Sequence, residues 1–461
     1  MHSLVFNRVE RSRYLDSVAL MRLSRSLSAL PGIEAAALMI GTPSNKALLR
    51  EAGLLAVEGE EAGPNDLVIA VRALEHRAGQ DALASALQFL ENKDDSSPRT
   101  GLRAKTLAGA LELLPEANLA LISVPGDFAL LETRKALDAG LSALVFSSGV
   151  PLEEERALKR MANEKGLLVM GPDCGTALLA GVPLAFANAV PRGGIGIVSA
   201  SGTGLQEVSC LIARLGEGVS HGIGVGGRDL DERVGALGTL AAIDALERDA
   251  RTKVIVLLSK PPAPGVAEAV LERLARCAKR SVVCFLGLDR PGLARTLHEA
   301  AEMASGKKIE SLKNEIRRVP GRVEGLFCGG TLCSEAELIF QRRGRYGDRF
   351  IDLGDDRYTR ARPHPMIDPE LRNAHVARAL ADPEVGVLLL DIVLGYGAHS
   401  DPAGVLLKEN LSMKTVVASV VGTDRDPQVR SLQVERLSEA GVLVAPSNAL
   451  AAEWAAALSS Y

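Results

Sequence analysis

The stretch Gly196–Val208 reads GIVSASGTGLQEV. A short apolar run gives way to a cluster of Ser, Gly and Thr, and the residues after it repeat with helical spacing, so the segment reads as strand, turn and helix. A helix entered through small residues leaves its first backbone N–H groups pointing outward, and its dipole favours an anion there. The Ser and Thr can instead cap the helix and satisfy those donors internally. Which applies depends on whether the rest of the chain carries phosphate chemistry.

The same pattern returns downstream. IVSASGTGLQEV has a counterpart in LFCGGTLCSEAEL, with Gly202-Thr203 and Gly330-Thr331 lying 128 positions apart. Each turn is followed by an acidic, polar stretch and then an apolar run, LERDARTKVIVLLSKPP in one case and LADPEVGVLLLDIVLGYG in the other. Asp249 and Asp382 in these stretches are 133 apart, so the register drifts by only a few residues. A duplicated flavodoxin-like unit follows, over residues 191–306 and 323–461. Paired units can aim two helix N-termini at one point and hold a phosphoryl group there. The alternative is that both turns are ordinary helix entries in related folds.

Upstream, from Leu119 to Thr176, strands (LALISVPG, SALVFSS, GLLVMGPDCGT) alternate with helices over Phe128–Asp138 and Leu152–Asn163. This alternation predicts a parallel sheet with right-handed crossovers, a Rossmann-like domain over residues 100–190. Ligands gather at the C-terminal ends of such strands, here the loops VPGD, SSGV and GPDCGT. Residues 1–95 read as a small α+β unit of ferredoxin-like pattern, with strands SLVFNRVE, IEAAALMI and DLVIAV and helices over Asp16–Leu30 and His76–Leu90. NKDDSSPRTG (Asn92–Gly101) reads as a linker, and Lys307–Arg322 as a helix or a second linker.

Composition agrees with an α/β class. The 461 residues are 47% hydrophobic but only 3% aromatic, which suits helices on buried parallel strands better than a β-sandwich. A formal net charge of −4 gives no basic face and argues against a nucleic-acid partner. The six cysteines (Cys174, Cys210, Cys277, Cys284, Cys328 and Cys333) show no CxxC pairing, so the expectation is buried reduced thiols in a cytoplasmic protein with no metal site. The charged start MHSLVFNRVERSRYLDS has no signal-peptide core, and no apolar run is long enough to span a bilayer.

The motifs GPDCGT, GIVSASGTGLQEV, GIGVGGRDL and VIVLLSKPP, in this order, resemble the FdrA family, relatives of succinyl-CoA synthetase. The resemblance runs from about Arg8 to the C-terminus. It implies a degenerate Rossmann-like CoA-binding domain (roughly Leu102–Ala187), then two flavodoxin-like CoA-ligase domains of α-subunit and β-subunit type. The matching anion-cradle positions are Ser201, Gly202, Thr203 and Gly204 in one unit and Gly329, Gly330 and Thr331 in the other. Three departures stand out. Where the family's phosphohistidine motif Gly-His-Ala-Gly-Ala belongs, RTLHEAAEMA stands; His298 has lost its flanking glycines and reads as a helical surface histidine. No ATP-grasp domain is expected. The first Gly-rich loop of the CoA-binding fold is missing, MIGTPSNKALL (Met39–Leu49) being the nearest Gly-bearing turn. The resemblance therefore implies a subunit of an oxamate carbamoyltransferase assembly in purine and allantoin catabolism. Its ligands would be a carbamoyl or acyl phosphate and a small carboxylate, its partners other protein subunits, and CoA a further candidate cofactor. The carbamoyltransferase phosphate loop Ser-x-Arg-Thr-Arg is absent, so any such activity uses other residues. The competing expectations are an acyl-CoA synthetase and a non-catalytic scaffold that kept the fold.

Acyl transfer from a mixed anhydride needs donors for the leaving phosphate. Ser201, Thr203 and Thr331 offer hydroxyls, and Gly202 and Gly330 offer backbone N–H groups. Arg228 in GGRDLDE either forks onto a phosphate or carboxylate or pairs with Asp229 or Asp231. Lys260, ending a strand before two prolines, is an anion contact or an ordinary exposed lysine. His399, with Asp401 beside it, is a candidate general base or a loop histidine without a role. Asp391, inside an apolar strand, needs a partner and is expected to hold loop backbone or face the cleft. The charged loop Asp355–Pro365 is a candidate carboxylate or subunit contact, and nothing near Cys174 in sequence would make it a nucleophile.

Overall fold

In the computed structural model, residues 3–96, 104–310, 318–359 and 362–460 are described. The first unit is built from β1 (Leu4–Glu10), α1 (Ser17–Ser28), β2 (Ile33–Ile40), α2 (Pro43–Glu51), α3 (Val57–Glu60), β3 (Leu67–Ala73) and α4 (His76–Ser96). β3 is buried almost throughout because it lies between β1 and β2, antiparallel to both. Leu20, Leu23 and Leu27 of α1 and Ala82, Ala86 and Leu90 of α4 close one face of this sheet, a ferredoxin-like βαββα arrangement. The other face packs on Leu49 and Leu54 in the β2–β3 connection that carries α2. The expected linker at Asn92 is helical instead: α4 continues through Ser96, since no Gly or Pro stops it before Pro98. The rest of that stretch, 97–101, lies outside the described residues, as do 311–317 of the expected helix or linker at Lys307–Arg322.

The second unit comprises α5 (Leu107–Leu113), β4 (Leu119–Ile122), α6 (Gly126–Asp138), β5 (Ser142–Val145), α7 (Leu152–Glu164) and β6 (Val169–Met170), with three parallel strands in the order β4-β5-β6. The hairpin β7 (Thr176–Leu179) and β8 (Val182–Ala185) leaves that sheet and pairs antiparallel with the next one, so strand pairing crosses the boundary expected at 190.

The two remaining units are a structural repeat. One holds β9 (Arg192–Ser199), α8 (Gly202–Arg214), β10 (Val219–Gly224), α9 (Leu237–Arg248), β11 (Val254–Ser259), α10 (Pro264–Ala275), β12 (Arg280–Phe285) and α11 (Leu297–Ser305). The other holds β13 (Arg322–Phe327), α12 (Gly330–Arg342), β14 (Arg349–Asp352), α13 (Asp356–Thr359), α14 (Glu370–Ala381), β15 (Val385–Val393), α15 (Pro402–Leu406), β16 (Thr415–Val421), α16 (Arg430–Glu439), β17 (Leu443–Ala445) and α17 (Asn448–Leu458). The second sheet runs β14-β13-β15-β16-β17, all parallel, the doubly wound flavodoxin-like order. The first runs β12-β11-β9-β10, the same winding over four strands, and the β7–β8 hairpin extends it. Asp249 and Asp382 occupy equivalent places: each ends a helix in extended backbone (φ −71°, ψ 115° and φ −77°, ψ 118°) just before the third strand. β15 is buried at every position, as a central parallel strand covered on both faces must be.

The two repeats face each other through their first helices. Leu205 and Leu211 of α8, Ala300 of α11, Leu332 and Phe340 of α12 and Ala452 of α17 share one core. Among the described residues no helix is long and apolar enough to cross a membrane.

Candidate functional site

Because α8 and α12 each begin at the C-terminal end of their sheet's first strand, packing them together brings the two Gly-Thr turns into contact. Ser201 Oγ donates to Thr331 Oγ1 at 2.6 Å. Gly329 lies so close to Thr203 that a Cβ there would stand 3.0 Å from Thr203 Cβ. The turns are not equivalent, however. Ser201 caps α8 by accepting the Gly204 N–H at 2.9 Å, the internal satisfaction that a serine at this position allows. Gly329 gives α12 no side-chain cap, and the N–H groups of Gly330, Thr331 and Leu332 find no acceptor among the described residues. α12 therefore begins without the side-chain cap that α8 has, with three of its first N–H groups open among the described residues.

Two carboxylates frame that end. Asp391, buried at the C-terminal part of β15, accepts the N–H groups of Cys328 and Gly329 at 2.7 Å each, and so holds the loop that launches α12. Buried Arg372 stands 3.6 Å from its Oδ1 and donates to its backbone carbonyl. Burial pushes the Asp391 carboxyl up to about 6, opposed by Arg372 and the two N–H donors. Asp352, at the end of β14, lies against Gly330, where a Cβ would strike its Oδ2. Burial raises its pKa too, and Lys260 opposes the rise. Lys260 is exposed and makes no ion pair among the described residues; its Nζ is 3.6 Å from the place a Gly330 Cβ would take. A lysine of one repeat thus reaches the helix end of the other. Asp352 escaped the sequence reading because its strand is four residues long and opens on arginine.

Lys260 also lines an open depression of about 540 Å³ with Ser259, Arg228, Asp231 and Arg233. Arg228 pairs with neither Asp229 nor Asp231: its guanidinium meets Glu155 of α7 at 2.9 Å and donates to Val150 O. The expected partners are taken. Asp229 is buried against Lys159 (2.7 Å) and caps α9 through the N–H groups of Gly238 and Thr239, while Asp231 binds Arg233. Lys159 also contacts Glu155 at 2.7 Å, so a buried ion chain ties the second unit to the third and aims Arg228 at the depression. Beside it, a narrow crevice between the Gly171–Thr176 loop and the start of α8 is lined by Asp173, Ser201 and Gly202.

Other predicted residues lie apart. His399 Nδ1 accepts the Asp401 N–H at 3.0 Å, its backbone N–H bonds Met366 O, and its charged neighbours are Arg25, Asp401 and Asp368; none belongs to the two turns. Burial lowers its pKa. His298 is no surface histidine: it is half-buried, with Nδ1 2.9 Å from Ser447 Oγ and Nε2 3.3 Å from Glu302. Cys174 is buried, donates to Thr176 O and Gly224 O, and has its thiol pushed up to about 12 by burial, as expected of a non-nucleophile. In the Asp355–Pro365 loop, of which 360 and 361 lie outside the described residues, Asp355 pairs with Arg357.

Residues 326–458 match the CoA-ligase family, and residues 1–106 match a family described as AllF, heavy metal-associated domain. The residues present do not fit a thiolate-bound heavy metal: no cysteine precedes Cys174, and the described residues hold no cluster of three His, Cys, Asp or Glu suited to a metal ion. The α subunit 2 of succinate–CoA ligase (ADP-forming) from Archaeoglobus fulgidus is 28% identical over 49% of this chain and 76% of its own length. The corresponding α subunit of Aquifex aeolicus is 29% identical over 43% and 66%. Among solved structures, a dinucleotide-forming acetyl-coenzyme A synthetase 1 of Ca. Korarchaeum cryptofilum aligns over 81% of this chain and 91% of that one, at 19% identity and a TM-score of 0.34. YahF, an uncharacterized protein of Escherichia coli (strain K12), is 41% identical over 95% of this chain and 96% of its own. The chain therefore belongs to the family of YahF, built on a succinyl-CoA-synthetase-like CoA-ligase fold behind an AllF-type N-terminal domain.

Proposed function

We propose that the chain is an FdrA-like subunit of an enzyme that handles a carbamoyl or acyl phosphate. The reaction assigned to it is carbamoyl transfer from carbamoyl phosphate to oxamate, giving oxalurate and phosphate, in allantoin and purine catabolism and with partner subunits. The observation that carries this reading is the bridge between the two turns, Ser201 to Thr331 at 2.6 Å, next to three N–H groups at the start of α12 that find no acceptor among the described residues. Backbone donors and Lys260 at that point suit a phosphate leaving group, because fixed dipoles need no reorganisation as charge develops. Arg228, with its planar fork, faces the neighbouring depression and suits the carboxylate of the acceptor. The AllF description of the N-terminal family supports the allantoin setting.

A second reading is favoured by the succinate–CoA ligase relatives: a CoA-dependent acyl ligase that works with a nucleotide-binding partner. It needs a phosphoryl carrier at the cradle, and His298 is engaged elsewhere with Ser447 and Glu302. The deciding experiment measures phosphate release from carbamoyl phosphate with oxamate, using protein purified natively with its partners, beside a sample given ATP, CoA and succinate. Oxamate-dependent release supports carbamoyl transfer. Thioester formation without it supports the ligase, and silence in both arms with partners present leaves a scaffold.

A further inference from the structure

The loop between β6 and β7 carries a carboxylate that the reaction as described leaves unused. Asp173 sits in left-handed backbone (φ 56°), and its N–H donates to Ser147 O at 3.0 Å while the next N–H, of Cys174, donates to Val145 O at 3.1 Å. The residue is thus pinned to the end of β5, in a conformation that Asp and Asn tolerate better than most residues. Its side chain is accessible to solvent, and no hydrogen bond or ion pair engages its carboxylate among the described residues. It lines the crevice shared with Ser201 and Gly202, the entry to α8. Three charged groups face it from separate elements: Glu155 of α7, Asp356 of α13 and Arg228 of the loop after β10. Crowding by the surrounding protein and the two carboxylates push its pKa up to about 6, against Arg228.

Carbamoyl transfer to an amide nitrogen leaves one proton to be moved. The acceptor nitrogen attacks the carbamoyl carbon, the new N–C bond forms, the C–O bond to phosphate breaks, and the nitrogen must shed its extra hydrogen. Asp352, the other carboxylate near the turns, lies against Gly330 and does not line the crevice, and the remaining groups there are unsuited to taking the proton. Lys260 and Arg228 are cations, Cys174 is a buried donor, and Ser201 Oγ already donates to Thr331 while accepting from Gly204. We propose that Asp173 is the catalytic base of the transfer, accepting the acceptor's N–H proton and passing it to the phosphate, which departs as the hydrogen phosphate dianion. No proton is gained or lost overall. The assignment rests on the carbamoyl-transfer reading and adds to it the residue that acts on the acceptor.

The test compares native wild-type protein with its partners, Asp173→Asn and Asp173→Glu, by oxamate-dependent phosphate release between about pH 5 and about pH 8. In the wild type, kcat/KM is expected to rise with pH through a midpoint near 6. Asp173→Asn keeps the left-handed backbone and is expected to lose about 10²-fold or more in kcat with KM for carbamoyl phosphate nearly unchanged, and to lose the pH limb. Asp173→Glu is expected to restore part of the rate and the limb. If the wild type is active and Asp173→Asn stays within threefold of it with the same pH limb, Asp173 is not the base and the carbamoyl reading stands. If the wild type itself releases no phosphate with oxamate, the carbamoyl reading fails and the base falls with it.

Discussion

Substituting Asp391 by Asn tests how the α12 cradle is held. The carboxylate accepts two N–H groups of the Cys328–Gly329 loop at 2.7 Å and lies 3.6 Å from Arg372, with both side chains shut off from water. An amide keeps one acceptor oxygen but turns an NH₂ group toward the second N–H, and it leaves the buried guanidinium without a counter-charge. Removing one member of a buried pair costs about 3–5 kcal/mol, and a charge-assisted hydrogen bond about 1.5–3 kcal/mol. The two overlap, since they share one oxygen pair, so about 3–4 kcal/mol is the expected local loss. At 1.36 kcal/mol per decade that is a roughly 10²- to 10³-fold shift toward the open loop. With four units in the chain, a single global unfolding energy is not the right readout. Hydrogen exchange read by mass spectrometry is, on peptides covering Leu326–Cys333, with the β3 peptide Leu67–Ala73 as internal control. Exchange in the first is expected to accelerate by that factor and in the second not at all. Protection at the loop within threefold of wild type would falsify the anchoring role of Asp391.

Four further outcomes follow from the same geometry. Gly330→Val drives a side chain against Asp352 Oδ2 and is expected to abolish phosphate release while leaving α12 folded by circular dichroism; retained release would place the chemistry away from this turn. Thr331→Val removes the acceptor of Ser201 Oγ and is expected to cost about 1 kcal/mol locally at the meeting of the two turns, read as faster hydrogen exchange of the α8 and α12 peptides, with no change counting against the bridge. Lys260→Gln is expected to weaken inhibition by inorganic phosphate several-fold and to steepen its strengthening at low pH, because Asp352 then keeps its proton to higher pH; unchanged inhibition removes Lys260 from the site. Glu335, wholly buried between α12 and α17, has its carboxyl pushed up to about 7 from an ordinary 4.5. Because the folded chain then binds more protons between those values than the unfolded one, its contribution is full below about pH 4.5 and declines by about 3 kcal/mol as pH rises through 7. Hydrogen exchange of the α12 and α17 peptides, corrected for its intrinsic pH dependence, should show that decline in the wild type and a flatter curve in Glu335→Gln; parallel curves would refute it.

The repeat was legible in sequence because both of its signals are local: an apolar run into a Gly-Thr turn, and an acidic residue before the next run. Strand order and the meeting of Ser201 with Thr331 agree with that reading. What escaped it depends on tertiary neighbours. VSHGIG (Val219–Gly224) is only strand-like in sequence, and its pairing between β9 and β7 makes it a full strand. The partner of Arg228 is Glu155, 73 residues upstream on another unit's helix, a distance no local pattern spans. Glu207 and Glu335 stand at the same position of each repeat, five residues after the Gly of the turn, and both bind Asn448. In sequence they look like exposed helix acids; only the packing of α8, α12 and α17 shows them buried.

The Ser201–Thr331 bridge joins residues 130 positions apart in one polypeptide. Its two sides are therefore held at an effective concentration set by the chain and its packing, independent of how dilute the protein is. A cradle split between separate chains comes apart when subunits are scarce; this one is complete as soon as each chain has folded. Cellular abundance can change how many cradles there are but not how well each is formed, and any control over them must act on access or on the fit of the two repeats.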